Sequence, residues 1–176
     1  SSDLYYYFGT APFLDAIGVP EAAIMPAMSL GQATELLAML ALSGLLLRFN
    51  YRRVLLLGVL MELLRFAFLI LSALTRNAVP AYIGIAFHGP AFAFFFSTAF
   101  IYIDSFTDSE SRAGMQQLFN LVTMGIGNFL GSMLAGGVYD ISAVKGQVRY
   151  EWFWGVPAVL VFAMLGVLAS FRLKRR

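Results

Sequence analysis

The sequence predicts an all-α polytopic membrane protein, and three observations carry that prediction. Hydrophobic residues make up 60% of the 176 residues, charged residues only 12%, and the apolar residues gather into stretches of membrane-spanning length. Mean hydropathy is +0.77. An ordinary soluble domain is about half apolar and about a quarter charged. A soluble fold of this size could not hide so much apolar surface, so lipid must cover part of it. Seventeen Phe, eight Met and sixteen Gly suit lipid-facing aromatics and close helix packing.

A bilayer needs about 20 mostly apolar residues per helix. Five stretches meet that length: 28–47, 53–74, 79–103, 113–138 and 152–172. A sixth, 3–18, is short, carries Asp3 and Asp15 near its ends, and reads as the closing part of a truncated helix. The first residue is Ser1, and no charged region precedes an apolar core, so no signal peptide is expected and the chain reads as starting inside a longer one. Residues 1–176 are therefore expected to form one transmembrane unit. Gly18, Pro20 and Pro26 mark the connector 16–27, Arg76, Asn77 and Pro80 mark another turn, and 140–149 is a polar loop.

Basic residues orient the bundle. Arg48, Arg52, Arg53, Arg112, Arg172, Lys174, Arg175 and Arg176 fall on one side, Arg76, Lys145 and Arg149 on the other, and Arg65 lies inside a span. Positive-inside bias places the larger group, and the C-terminus, in the cytoplasm. Trp152 and Trp154 then fall at the outer interface, where indole rings are favoured.

Several chemistries drop out. Cysteine is absent and His88 is the single histidine, which removes thiolate nucleophiles, disulfides and multi-histidine metal sites. An intramembrane serine hydrolase would need a nucleophile with a partnered base, and no G-x-S-x-G elbow occurs. A net charge of +2, with basic residues at membrane edges, gives no footprint for nucleic acid. No enzyme and no cofactor are expected.

Charged groups in hydrocarbon cost roughly 2.5–3.5 kcal/mol each on the insertion scale, so those inside the spans normally face the bundle or an aqueous cavity. Glu35 lies about seven residues into its predicted helix, about 10 Å deep, with Gln32 on the same face. The pair could bind a polar solute, with the carboxylate also carrying a proton, or could hold two helices together. Glu62 and Arg65 repeat the three-residue spacing and are expected to form an intrahelical ion pair, although Arg65 could also meet a carboxylate on a neighbouring helix. His88 suits proton coupling or solute contact, and equally a satisfied interior position. Phe92 follows it by one turn and could stack on a ring. Gln116, Asn120, Thr123 and Gly127 share one helical stripe, with Asn120 a candidate solute contact. Gly127 and Gly131, extended by Ser132 and Gly136, have the spacing of close helix packing.

Taken together, these residues resemble a known family. Gln32-Ala33-Thr34-Glu35, Arg52-Arg53, Leu63-Leu64-Arg65-Phe66, His88-Gly89, the Phe run at 94–96 and Tyr102-Ile103-Asp104 are similar to the nucleoside:proton symporter branch of the major facilitator superfamily. The most specific group is Arg112-Ala113 with Gln116, Phe119, Thr123, Gly125, Gly127, Gly131 and Gly136. The resemblance implies the C-terminal six-helix half of a major facilitator fold, partnered by a missing N-terminal six-helix half, in a bacterial cytoplasmic membrane. It further implies nucleoside uptake coupled to protons by alternating access. Gln32 and Glu35 match nucleoside-contacting residues, and Phe92 an aromatic at the same site. His88 stands where well-known members carry tyrosine, Ala93 replaces an acidic residue, and Leu4 and Tyr7 replace polar ligands, so that Tyr7 is expected to serve through its ring. Another small polar solute such as a sugar, and a non-transporting sensor or scaffold on the same fold, remain the alternatives.

Overall fold

The computed structural model describes residues 2–144 and 147–170. The Asp3 side chain, Lys145 and the tail residues Arg172, Lys174, Arg175 and Arg176 lie outside what is described, as do the last two residues of the expected span 152–172. Among the described residues six helices follow one another: α1 (Ser2–Ala16), α2 (Glu21–Arg48), α3 (Tyr51–Thr75), α4 (Ala78–Asp104), α5 (Arg112–Ser142) and α6 (Tyr150–Ser170). The last five are long and apolar enough to cross a membrane, as composition predicts. Helices α4 and α5 are each widened by one π-helical segment, Ala93–Ser97 and Leu121–Ile126.

Gly18 and Asn77 close turns where the sequence places them, and Asn50 closes another. Gly18 adopts a φ of 89°, a left-handed conformation that costs glycine little. Asn50 and Asn77 cap α3 and α4, their Oδ1 atoms accepting the backbone N–H groups of Arg53 and Val79 at 3.0 and 2.9 Å. Ser72 Oγ also donates to the Asn77 carbonyl at 2.6 Å.

Three expectations need correction. Helix α2 begins at Glu21, so the segment holding Pro26 is helix, not connector. Pro20 takes the position before the first turn, and Glu21 complements the positive end of the helix dipole. Pro26 forfeits one backbone hydrogen bond, a loss that membrane helices tolerate. Glu35 consequently sits near the middle of a 28-residue helix, roughly 21 Å from its start rather than about 10 Å. Next, α5 runs through Asp140 to Ser142, and the expected loop narrows to an antiparallel ladder of β1 (Ala143–Val144) with β2 (Gln147–Val148), pairing Ala143 with Val148. Finally, Trp152 is 61% exposed whereas Trp154 is fully buried. Two residues apart on a helix means nearly opposite faces, so only the Trp152 ring faces outward and the Trp154 ring packs inside the bundle.

Packing centres on α3, which lies along α4 and α6, while α2 covers another side of α4 and α1 leans on α5. Aromatic rings lock α1 to the start of α6: Tyr5 stacks on Phe153 at 4.5 Å and donates its hydroxyl hydrogen to the Phe153 carbonyl at 2.6 Å. Trp154 meets Phe13 edge-on, with Phe66 on another side. Large apolar side chains remain exposed on α2 (Leu36, Leu37, Leu40) and α5 (Leu121, Phe129, Leu130), surfaces that water would not tolerate at this density.

Helices α2 and α4 cross at a reciprocal pair of glycines. A Cβ on Gly31 would stand 3.0 Å from His88 Cδ2, and one on Gly89 would run into the backbone of Thr34 and Glu35. Each glycine thus lies beneath the polar residue of the opposite helix. Replacing Gly89 with valine should separate the helices and cost about 1–3 kcal/mol through overpacking. Gly44→Ala, where the added methyl meets nothing, should be neutral or stabilising. Thermal unfolding followed by fluorescence-detected size exclusion distinguishes the two, and an equal loss at both positions would refute the crossing as described.

Candidate functional site

A chain of polar side chains crosses four helices at the level of this crossing. It starts on α3, where Arg65 Nη2 donates to Glu62 Oε1, both groups buried. The expected intrahelical pair therefore forms. Across to the neighbouring helix α4, Arg65 Nη1 meets Nδ1 of His88. The Arg65 guanidinium also lies over the rings of Tyr6 and Phe66, at 4.6 and 4.9 Å, a favourable placement for a desolvated cation. Tyr6 in turn stacks on His88, its ring 5.0 Å away and tilted by 13°.

Guanidinium has donors and no acceptor, so Nδ1 of His88 must be the acceptor and the ring proton resides on Nε2. That nitrogen donates to the Tyr7 hydroxyl of α1 at 3.1 Å. Gln32 of α2 donates its Nε2 to the same oxygen at 3.3 Å. Tyr7 thus contributes through its hydroxyl as well as its ring, contrary to the expectation from sequence. A second proton on His88 would set N–H against N–H unless Arg65 moved. Glu35, half-buried one turn beyond Gln32, is the carboxylate nearest in sequence to this group.

Beside the polar chain lies a cavity of about 290 Å³ among α3, α4, α5 and α6. Its walls include Glu62, Phe92, Phe95, Phe96, Thr123 and Gly127. Phe92 links the two regions: its ring is 6.4 Å from that of His88 and 5.2 Å from that of Phe96. Both π-helical segments contribute to the wall, Ala93–Ser97 through Phe95 and Phe96, and Leu121–Ile126 through Val122 and Thr123. Wide turns of this kind recur at functional sites.

The wide turn also breaks the expected stripe on α5. A π turn holds more residues than an α turn, so positions before and after it lose their common phase. Thr123 and Gly127 reach the cavity, Gln116 turns to Asp104, and Asn120 stays exposed. Of the glycine motif, Gly131 is buried with Ala135, Gly127 lines the cavity, and a Cβ on Gly136 would meet nothing. Arg112 has a structural place at the bundle edge: its Nε and Gln116 Nε2 both donate to Asp104 Oδ1, at 2.9 and 3.1 Å, tying α4 to α5. In the intervening loop the Ser111 backbone N–H donates to Asp108 and holds that carboxyl below its usual range.

Gln32, Tyr7 and His88 are thus brought together, with Glu62 and Arg65 supporting them and Phe92 forming the junction with the cavity. Asn120 does not join them. Tyr6, Gly31 and the π segments escaped the sequence reading. The only signal for Tyr6 was its place in the aromatic run Tyr5-Tyr6-Tyr7.

The family model for nucleoside H+ symporters matches residues 1–176, the full length of the chain. The chain belongs to this family. Among curated members, the putative nucleoside transporter YegT of Escherichia coli K12 is 34% identical over 172 residues, covering 93% of this chain and 40% of its own length. Nucleoside permease NupG of the same organism is 26% identical over 160 residues, covering 88% and 38%. This symporter-family chain therefore spans about two-fifths of the length of the relatives it matches. A crystal structure of a NupG variant superposes on 96% of the chain with a TM-score of 0.78 at 23% identity, covering 42% of that protein, and so shares its fold.

The ion pairs at the core and edge should respond differently to truncation. Glu62→Ala leaves the Arg65 charge buried and should cost about 3–5 kcal/mol. Arg112→Ala breaks a pair that is half exposed and should cost about 1 kcal/mol or less. Melting of the two purified variants in the same detergent checks the order, and a larger loss for Arg112→Ala would contradict it.

Proposed function

We propose that this chain is the C-terminal six-helix part of a secondary active transporter that takes up nucleosides together with protons by alternating access. In this reading it works with a preceding six-helix part in a bacterial cytoplasmic membrane, with its C-terminus in the cytoplasm. Membership of the nucleoside H+ symporter family over the whole chain is the observation that carries the proposal. The site geometry supports it chemically. A nucleoside offers hydroxyl groups to hydrogen-bond and a flat base to cover, and the Gln32–Tyr7–His88 group adjoins the aromatic wall begun by Phe92.

Roles divide accordingly. Gln32, Tyr7 and His88 contact the solute, Phe92 stacks on its base, and Asn120 joins them only on closure against the other part. Glu35 carries the proton, since it is a mid-helix carboxylate whose backbone is fixed by Gly89. The buried Ala93 offers no carboxylate, so the reading places the coupling proton on α2 rather than on α4.

Uptake of radiolabelled uridine by the full-length parent protein tests this. An uncoupler should abolish accumulation, and Glu35→Gln should lower it by about tenfold or more, the scale of losing an interaction of about 1.4 kcal/mol. Gln32→Ala and Phe92→Ala should each raise KM by about tenfold for the same reason. Uptake indifferent to both the uncoupler and Glu35→Gln would sink the coupled mechanism. Competition by sugars but not by nucleosides would transfer the site to another polar solute.

A further inference from the structure

We propose that Arg65 is a positioning residue of the solute site, fixing the tautomer of His88 and thereby the direction in which the Tyr7 hydroxyl donates. Arg65 itself is fully buried and pairs with Glu62 one turn earlier on α3. A second guanidinium nitrogen, Nη1, reaches Nδ1 of His88 on the next helix. A neutral imidazole has one donor and one acceptor, and the guanidinium claims the acceptor. Nε2–H is left to face the Tyr7 oxygen at 3.1 Å, where Gln32 Nε2 also donates at 3.3 Å. Both contacts occupy lone pairs of the hydroxyl, so its own hydrogen is directed to a third acceptor. With the opposite tautomer, Nε2 would accept and that hydrogen would be spent on His88.

A purely structural ion pair would need none of this. Glu62 already answers the guanidinium charge, and Tyr6 and Phe66 cover its faces. The contact to His88 adds a polarity that passes from α3 through α4 to α1 and α2, and it ends on the two side chains proposed to meet the solute. Stacking on Tyr6, at a 13° tilt, holds the imidazole plane while the hydrogen bonds fix its polarity.

The consequence for transport rests on the function proposed above, whereas the tautomer does not, so the test has two arms. His88 is the single histidine of this chain. In 15N-histidine NMR of the purified full-length protein, its resonances are identified as those lost in His88→Gln. Wild type should show an unprotonated Nδ1 and a protonated Nε2. The paired replacement Glu62→Met with Arg65→Met removes the donor together with its paired carboxylate, and there the tautomers should mix. In uptake assays the same pair should raise KM by about tenfold with maximal rate per folded molecule within about twofold, as expected for a lost oriented hydrogen bond. In the His88→Gln background, whose amide donates to Tyr7 without a tautomer to choose, the pair should change KM by less than about twofold. A protonated Nδ1 in wild type, or an equal KM effect in both backgrounds, would overturn the proposal. Absence of uptake in every background would instead count against the transport function and leave the NMR result to decide the tautomer.

Discussion

A guanidinium sealed inside a membrane bundle must find every partner within the bundle, and Arg65 sets that requirement for this structure. Its charge is answered by Glu62, its planar faces by Tyr6 and Phe66, and its second nitrogen by His88. Those partners come from α1, α3 and α4, so satisfying one side chain constrains the mutual placement of three helices. The glycine crossing of α2 and α4 then fixes the fourth, because His88 rests against Gly31 while Gly89 admits the backbone at Glu35. Polar satisfaction and close packing are separate demands, and here they converge on the same few residues. That convergence explains why a chain with so few charges keeps two of them fully indoors.

The helical spans and the Glu62–Arg65 pair were legible in sequence because both follow from regular spacing within one helix. Apolar length defines a span, and three residues apart defines a shared face. The contact from Arg65 to His88 was not legible, since residues 23 positions apart on different helices meet only through the packing angle. For the same reason the hydroxyl of Tyr7 was undervalued: nothing local in α1 announces that His88 and Gln32 will arrive beside it. Pro26 misled by its usual role as a breaker, and Trp154 by the preference of indole for interfaces. In each case a burial or hydrogen-bonding opportunity elsewhere in the bundle outweighed the local tendency.

The candidate site itself was half visible. Gln32 and His88 stood out as polar groups in apolar surroundings, and both lie in the hydrogen-bonded chain. Asn120 stood out equally and lies apart from them, because it was placed by counting regular turns through a region where the turns are not regular. The exposed apolar faces of α2 and α5 carry a complementary lesson. Hydropathy shows that these helices avoid water, but it does not distinguish a face meant for lipid from one meant for protein, since both solvents are equally apolar to leucine.

The wide turn at Leu121–Ile126 bears on how relatives of this chain should be compared. It stores a surplus of chain within an otherwise continuous helix, so the residues beyond it are dialled around the axis relative to those before. Two members of the family whose fifth helices differ by one residue here can present the same faces to their neighbours. Two of identical length can present different ones if only one of them carries the wide turn. Matching letters column by column would then pair a cavity residue such as Thr123 with one that faces lipid. For this segment, angular position about the helix axis is a truer coordinate than sequence number.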